Sequence, residues 1–126
     1  MERPFSLTDR IKSFVYAFKG ILIMLKSQHN AWIHALATII VCALGLSFGL
    51  TTFEWCWIVL SIMAVWTAEA LNTAFEFLAD AASPSYHPLI GKAKDVAAGA
   101  VLISAIGSAV IGLLIIGPYI LEFFKR

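Results

Sequence analysis

Glu69, Asn72, Glu76 and Asp80 follow one another at steps of three, four and four residues. At 100° per residue, a helix brings all four within roughly 80° of one another. One stripe of helix therefore carries four polar groups, three of them acids. The surrounding residues 55–79 are otherwise apolar, apart from scattered Ser and Thr. Charges inside such a stretch are costly in a bilayer and by default mark function. A lone Asn could staple two helices by a hydrogen bond. Three acids on one stripe are more than packing needs.

The chemistry open to this stripe depends on depth. Asp80 lies about 16 Å along the axis from Glu69, at 1.5 Å per residue. Lys92, Lys94 and Asp95 stand at the start of the next apolar run, on the same side of the membrane as Glu76 and Asp80. A mouth of acids, a Lys and a loop bearing His87 suits a metal-bound phosphate: carboxylates hold Mg²⁺ and Lys meets phosphoryl oxygens. At the buried end, a carboxylate in low dielectric suits a general base acting on a lipid hydroxyl. A row of acids also suits a proton relay in a small transporter. Spacing alone leaves both open.

The elements that must hold this stripe follow from composition. The chain has 126 residues, room for one domain, residues 1–126. It is 60% hydrophobic and only 13% charged, with a net charge of +1. Its mean hydropathy is +0.86. A soluble fold this small has too much surface to hide so many apolar side chains. The balance excludes a soluble domain and a disordered tail. The small net charge excludes a nucleic-acid partner recruited by bulk electrostatics. An all-α integral membrane protein is the reading that remains.

Residues 27–53 and 96–121 contain no Asp, Glu, Lys or Arg. Each run exceeds the roughly 20 residues that cross a bilayer as a helix. With the striped segment between them, three spans are expected at about 29–50, 54–82 and 92–121. Arg3, Arg10, Lys12, Lys19 and Lys26 precede the first span; Lys92 and Lys94 lie between the second and third. The positive-inside rule places the N-terminus and the second loop in the cytoplasm. Lys125 and Arg126 then fall outside, one weak violation forced by an odd number of spans.

Ahead of the spans, Ile11, Phe14, Val15, Phe18, Leu22 and Leu25 recur on one helical face, punctuated by Lys12, Lys19 and Lys26. A basic amphipathic helix over about 8–26, lying in the cytoplasmic interface, is the reading, with Thr8 or Asp9 as its cap. Met1–Lys26 has no uninterrupted apolar core and reads as no cleaved leader. Ser83-Pro84 and His87-Pro88 mark a loop over Ala81–Gly91. Cys42 and Cys56 lack metal or redox spacing and read as packing residues.

Taken together, Glu69-Ala-Leu-Asn72-Thr-Ala-Phe-Glu76-Phe-Leu-Ala-Asp80, then Tyr86-His87-Pro88 and Lys92-Ala-Lys94-Asp95-Val-Ala-Ala-Gly99-Ala-Val, resemble the prokaryotic integral-membrane diacylglycerol kinase family, which includes undecaprenol kinases. The resemblance covers nearly the whole chain. It implies a homotrimer with sites built between subunits, in a bacterial cytoplasmic (inner) membrane. It implies ATP as phosphoryl donor, Mg²⁺ as cofactor and a membrane lipid alcohol as acceptor. Glu69 corresponds to the general base and Glu76 to a metal ligand that also borders ATP. Asp80, Tyr86, His87, Lys94 and Asp95 correspond to ATP-binding positions. Asn72 supports the hydroxyl or Glu69, with Gly99 nearby in the motif. In the surface helix, Arg10 and Tyr16 fall among nucleotide positions, and Lys12 and Lys19 among those bordering lipid.

One departure stands out. The family usually has Glu at the position of Gln28, where it helps hold the metal; Gln keeps an oxygen and loses the charge. The following Asn30-Ala-Trp32-Ile-His34 resembles the undecaprenol kinase branch, and Asn30 and His34 are taken with the lipid-side residues. In isolation His34 reads as an interfacial histidine with its hydrogen bonds met. Two other functions remain to be separated by experiment: a transporter subunit using the acids as an ion path, and an inactive scaffold whose support is Gln28.

Overall fold

The computed structural model describes residues 6–125, which form four α-helices and, among the described residues, no strand. Arg3 and Arg126, used in the charge count above, lie outside that range. Helix α1 runs Leu7–Ser27. Its cap is Ser6, whose Oγ accepts from the Asp9 N–H at 3.3 Å. Ser6 has the extended backbone a cap requires, so neither Thr8 nor Asp9 fills that role. Asp9 sits in the first turn instead, where its charge complements the helix dipole.

Gln28 alone separates α1 from α2, which runs His29–Phe48. Its extended φ of −115° and ψ of 117° end one helix and open the next. The Trp32 indole spans the break, donating to the Leu25 carbonyl at 2.8 Å. At the other end of α2, Gly49 takes the left-handed φ of 69° that closes a helix. Helix α3, Thr52–Ala82, then opens with a capping box. Thr51 Oγ1 accepts from the Glu54 N–H, and the Glu54 carboxylate accepts from the Thr51 N–H at 2.8 Å.

Helix α4 runs Pro88–Lys125, beginning before residue 92 and ending after residue 121. Proline is well suited to a first helical position because the N–H it lacks has no partner there. His87 caps the end, its Nδ1 accepting from the Leu89 N–H at 3.2 Å. The connecting loop therefore shrinks to residues 83–87, and Lys92, Lys94 and Asp95 all ride on the first turns of α4.

Helices α2, α3 and α4 are each long and apolar enough to cross a membrane. The 20 residues of α2 reach about 30 Å, the thickness of the hydrocarbon layer. Large apolar side chains such as Leu36, Leu46 and Leu113 stand exposed along them. In water that exposure would be unfavourable; in hydrocarbon it is not.

The most extensive helix contact is the α3–α4 hairpin. Its apolar core lies at the end remote from the 83–87 loop. Leu50, Ile58 and Ile116 are buried there against Val41, Phe48, Trp55 and Tyr119. Gly45 lies flush against the Trp55 ring; a β-carbon there would stand 2.8 Å from it. Tyr119 donates to Glu54 Oε2 at 3.0 Å and stacks on Phe48 at 5.8 Å between centroids. One end of the protein is thus apolar and clamped. The opposite end carries the polar stripe.

Candidate active site

Along α3 the stripe runs from dry to wet. Glu69 is fully buried, Asn72 is buried, Glu76 is half-buried and Asp80 is exposed. Helical spacing sets the common face; the neighbouring helices set the gradient. His34 on α2 lies beside Glu69, Gln28 at the α1–α2 junction reaches Glu76, and Asp80 pairs with Lys94 from α4.

Glu76 is held on both oxygens by amides. Gln28 Nε2 donates to its Oε2 at 2.6 Å, and Asn72 Nδ2 donates to its Oε1 at 3.2 Å. At the mouth, Lys94 Nζ lies 3.0 Å from Asp80 Oδ1. Both side chains are substantially exposed, so water screens this pair and it contributes little to the fold. It leaves a flexible ammonium at the opening.

Deeper in, His34 Nε2 lies 3.6 Å from Glu69 Oε2. That is beyond hydrogen-bond length. Among the described residues, His34 Nε2, both Glu69 carboxylate oxygens and Asn72 Oδ1 are all buried without a hydrogen-bond partner. Buried polar atoms are nearly always paired, because losing water without replacement is costly. Four such atoms on three neighbouring residues mark a place built to receive a polar group. His34 is therefore no histidine with its hydrogen bonds met, contrary to its reading from sequence alone.

The remaining candidates are spread more widely. Arg10, Lys12, Tyr16 and Lys19 are exposed on α1, and no hydrogen bond or ion pair joins them to the stripe among the described residues. Lys19 lies over the Tyr16 ring, 5.7 Å from its centroid. Asn30 is exposed just past the helix junction, Tyr86 and Asp95 are exposed near the mouth, and His87 is engaged as a cap. At Gly99 an added β-carbon would meet nothing within 4 Å. Beside Asn72, an apolar groove of about 940 Å³ opens between α3 and α4, lined by Leu60, Met63, Leu71, Phe75 and Lys92.

No group of three or more His, Cys, Asp or Glu side chains gathers as a metal site among the described residues. A different donor set does fit a hard cation. Glu76 offers a carboxylate, and Gln28 and Asn72 offer amide oxygens once their amides turn. Mg²⁺ commonly takes only one or two carboxylates and completes its shell with phosphate and water.

The sequence of the chain matches a family of known proteins. The sequence model described as prokaryotic diacylglycerol kinase matches residues 15–116, a stretch that contains every residue of the stripe together with Gln28, His34 and Lys94. The chain belongs to the prokaryotic diacylglycerol kinase family. Undecaprenol kinase of Bacillus subtilis (strain 168) is 42% identical over 107 residues, covering 85% of this chain and 87% of that protein. Diacylglycerol kinase of Synechocystis is 34% identical over 111 residues, covering 87% of this chain and 63% of that protein. Diacylglycerol kinase of Escherichia coli (strain K12) is 32% identical over 109 residues, covering 79% and 81%. As a member of the prokaryotic diacylglycerol kinase family, the protein is a lipid kinase, and its three apolar helices make it a membrane protein.

Sequence reasoning passed over two residues that shape this family member's site. Trp66 meets His34 edge-on, with centroids 6.4 Å apart, and its Nε1 donates to Thr38 Oγ1 at 3.1 Å. Thr38 Oγ1 donates in turn to the His34 carbonyl at 2.7 Å. The available signal was Trp66 itself, one turn before Glu69 on the same face.

Proposed function

We propose that the protein transfers the γ-phosphoryl group of ATP to the hydroxyl of a membrane lipid alcohol, undecaprenol or diacylglycerol, at the cytoplasmic face. The observation that carries this reading is Glu69, fully buried with both oxygens unpartnered. Such a carboxylate is available to take the proton of an incoming hydroxyl as the oxygen attacks phosphorus. Asn72 Oδ1, also unpartnered, is available to orient that hydroxyl. The groove beside Asn72 offers apolar walls to the lipid chain.

The nucleotide enters from the wet end. Lys94 meets phosphate oxygens, and Asp80, Asp95, Tyr86 and His87 border the same opening, with Arg10 and Tyr16 approaching from α1. Mg²⁺, held by Glu76 with the amide oxygen of Gln28, would supply neutralisation of phosphate charge. Helix α1 lies in the membrane interface with Lys12 and Lys19 toward headgroups, supported by exposed Phe14, Phe18 and Leu22 between its lysines. Asn30 and Gly99 border the lipid side of the site. The chain acts as a single membrane-embedded domain, N-terminus inward, in the bacterial inner membrane and as a homotrimer. The small-residue track Ala100, Ser104, Ser108 and Gly112 on α4 supports close helix contact between subunits. The likeness to an undecaprenol kinase, higher than to the two diacylglycerol kinases above, favours a polyprenol acceptor.

The test is phosphate transfer from ATP labelled at the γ position, with purified protein in mixed micelles and Mg²⁺. Undecaprenol and diacylglycerol are offered in parallel. Label is expected in one lipid and absent with Glu69→Gln, which removes the base and should lower kcat by about 10²–10⁴-fold. Full activity in Glu69→Gln would overturn the assignment of the base. No label in either lipid from folded protein would return the transporter and scaffold readings.

A further inference from the structure

We propose that His34 is a positioning residue for Glu69: its imidazole N–H holds one carboxylate oxygen, so that the other faces the acceptor hydroxyl. This rests on the kinase reading above and adds a part to it. A fully buried carboxylate with two unpartnered oxygens is costly unless something completes it. Among the described residues, the nitrogen that pairs with it is His34 Nε2, 3.6 Å from Oε2 and itself buried without a hydrogen bond. A shift of a few tenths of an ångström closes this pair to hydrogen-bond length. Catalytic contacts are often long before substrate arrives and tighten in the reacting complex.

The imidazole is prepared for that role. Trp66 packs edge-on against its ring, and the Trp66–Thr38 hydrogen bond continues to the His34 carbonyl. Trp66 and Glu69 are one turn apart on α3, so a single helix face carries both the wall and the target of the ring. With Nε2–H bound to Oε2, Oε1 remains for the hydroxyl. The proton of the lipid O–H passes to Glu69, and the lipid oxygen bonds the γ-phosphorus. The bond from that phosphorus to the β–γ bridging oxygen breaks, and ADP leaves with the electron pair. His34 keeps its own proton throughout. Fixing which oxygen acts is worth rate, because reaction depends on near-attack geometry.

Two variants of similar volume separate donation from packing. His34→Gln retains an N–H that can reach Glu69; His34→Met fills the space and donates nothing. Steady-state lipid phosphorylation is measured in mixed micelles, with elution and melting temperature recorded for each variant. In His34→Met, kcat should fall about tenfold or more, with KM for the lipid within about twofold. His34→Gln should recover most of that loss. If His34→Met does not fold, His34→Asn takes its place, since the shorter amide falls short of Glu69 and the same loss in kcat is expected. Equal losses in the Gln and Met variants, or a loss seen in lipid KM alone, would overturn the proposal. So would His34→Met retaining kcat within about twofold. Wild-type protein that labels neither lipid overturns the kinase reading and this inference with it, a result distinct from an active wild type indifferent to His34.

Discussion

Gln28 and Glu76 are joined by a 2.6 Å hydrogen bond that ties the junction of α1 and α2 to the middle of the acid stripe. Gln28 is also the single residue between those helices, so one side chain both marks the bend and anchors it. A glutamate at this position would face Glu76 as a like charge with no proton to donate. The chain therefore closes this side of the stripe with an amide.

Gln28→Glu should make the fold depend on divalent cations. In chelator, losing the hydrogen bond and opposing two carboxylates should destabilise the protein by about 1–3 kcal/mol. Mg²⁺ should restore the loss in the variant and have a smaller effect on the wild type. Thermal unfolding in detergent, with and without Mg²⁺, measures this directly. Equal melting temperatures under all four conditions would show that the Gln28–Glu76 bond does not hold the junction.

Lys94→Ala should separate binding from folding. The Lys94–Asp80 pair is exposed, and its removal should leave the melting temperature close to that of the wild type. If Lys94 meets nucleotide phosphates, KM for ATP should rise about tenfold or more while KM for the lipid stays level. Initial rates over a matrix of both substrates distinguish the two. A rise in lipid KM alone would move Lys94 from the nucleotide to the acceptor.

Gly45→Ala should act at the far end of the molecule. The added β-carbon meets the Trp55 ring at 2.8 Å and Leu50 at 3.0 Å, closer than side chains normally pack. Overpacking of this kind costs about 1–3 kcal/mol. Melting temperature should fall, while kcat measured well below the transition should stay near wild type. An undiminished melting temperature would mean Trp55 has room to turn aside.

What the sequence made legible, and what it hid, follows from the range of the forces involved. The charge-free runs announce helices because a bilayer leaves no other way to pair the backbone. The stripe was legible because Glu69, Asn72, Glu76 and Asp80 share one helix, and helical geometry alone sets their common face. The sequence puts His34 on the lipid side, but its approach to Glu69 depends on the register of α2 against α3, which no local pattern encodes. Pro88 reads as a breaker and delays the expected start of α4, although proline at a first position with His87 as cap opens a helix equally well. At α1, Ser6, Thr8 and Asp9 are all capable caps, and only the backbone conformation distinguishes them.

Tyr119, Glu54 and Phe48 fasten three helices together beside the buried trio Leu50, Ile58 and Ile116. The ring stack and the shared carboxylate fix the spacing of the three helix ends about four turns along α3 from Glu69. A change made at this clamp is therefore felt in the stability of the whole bundle before it is felt at the polar stripe.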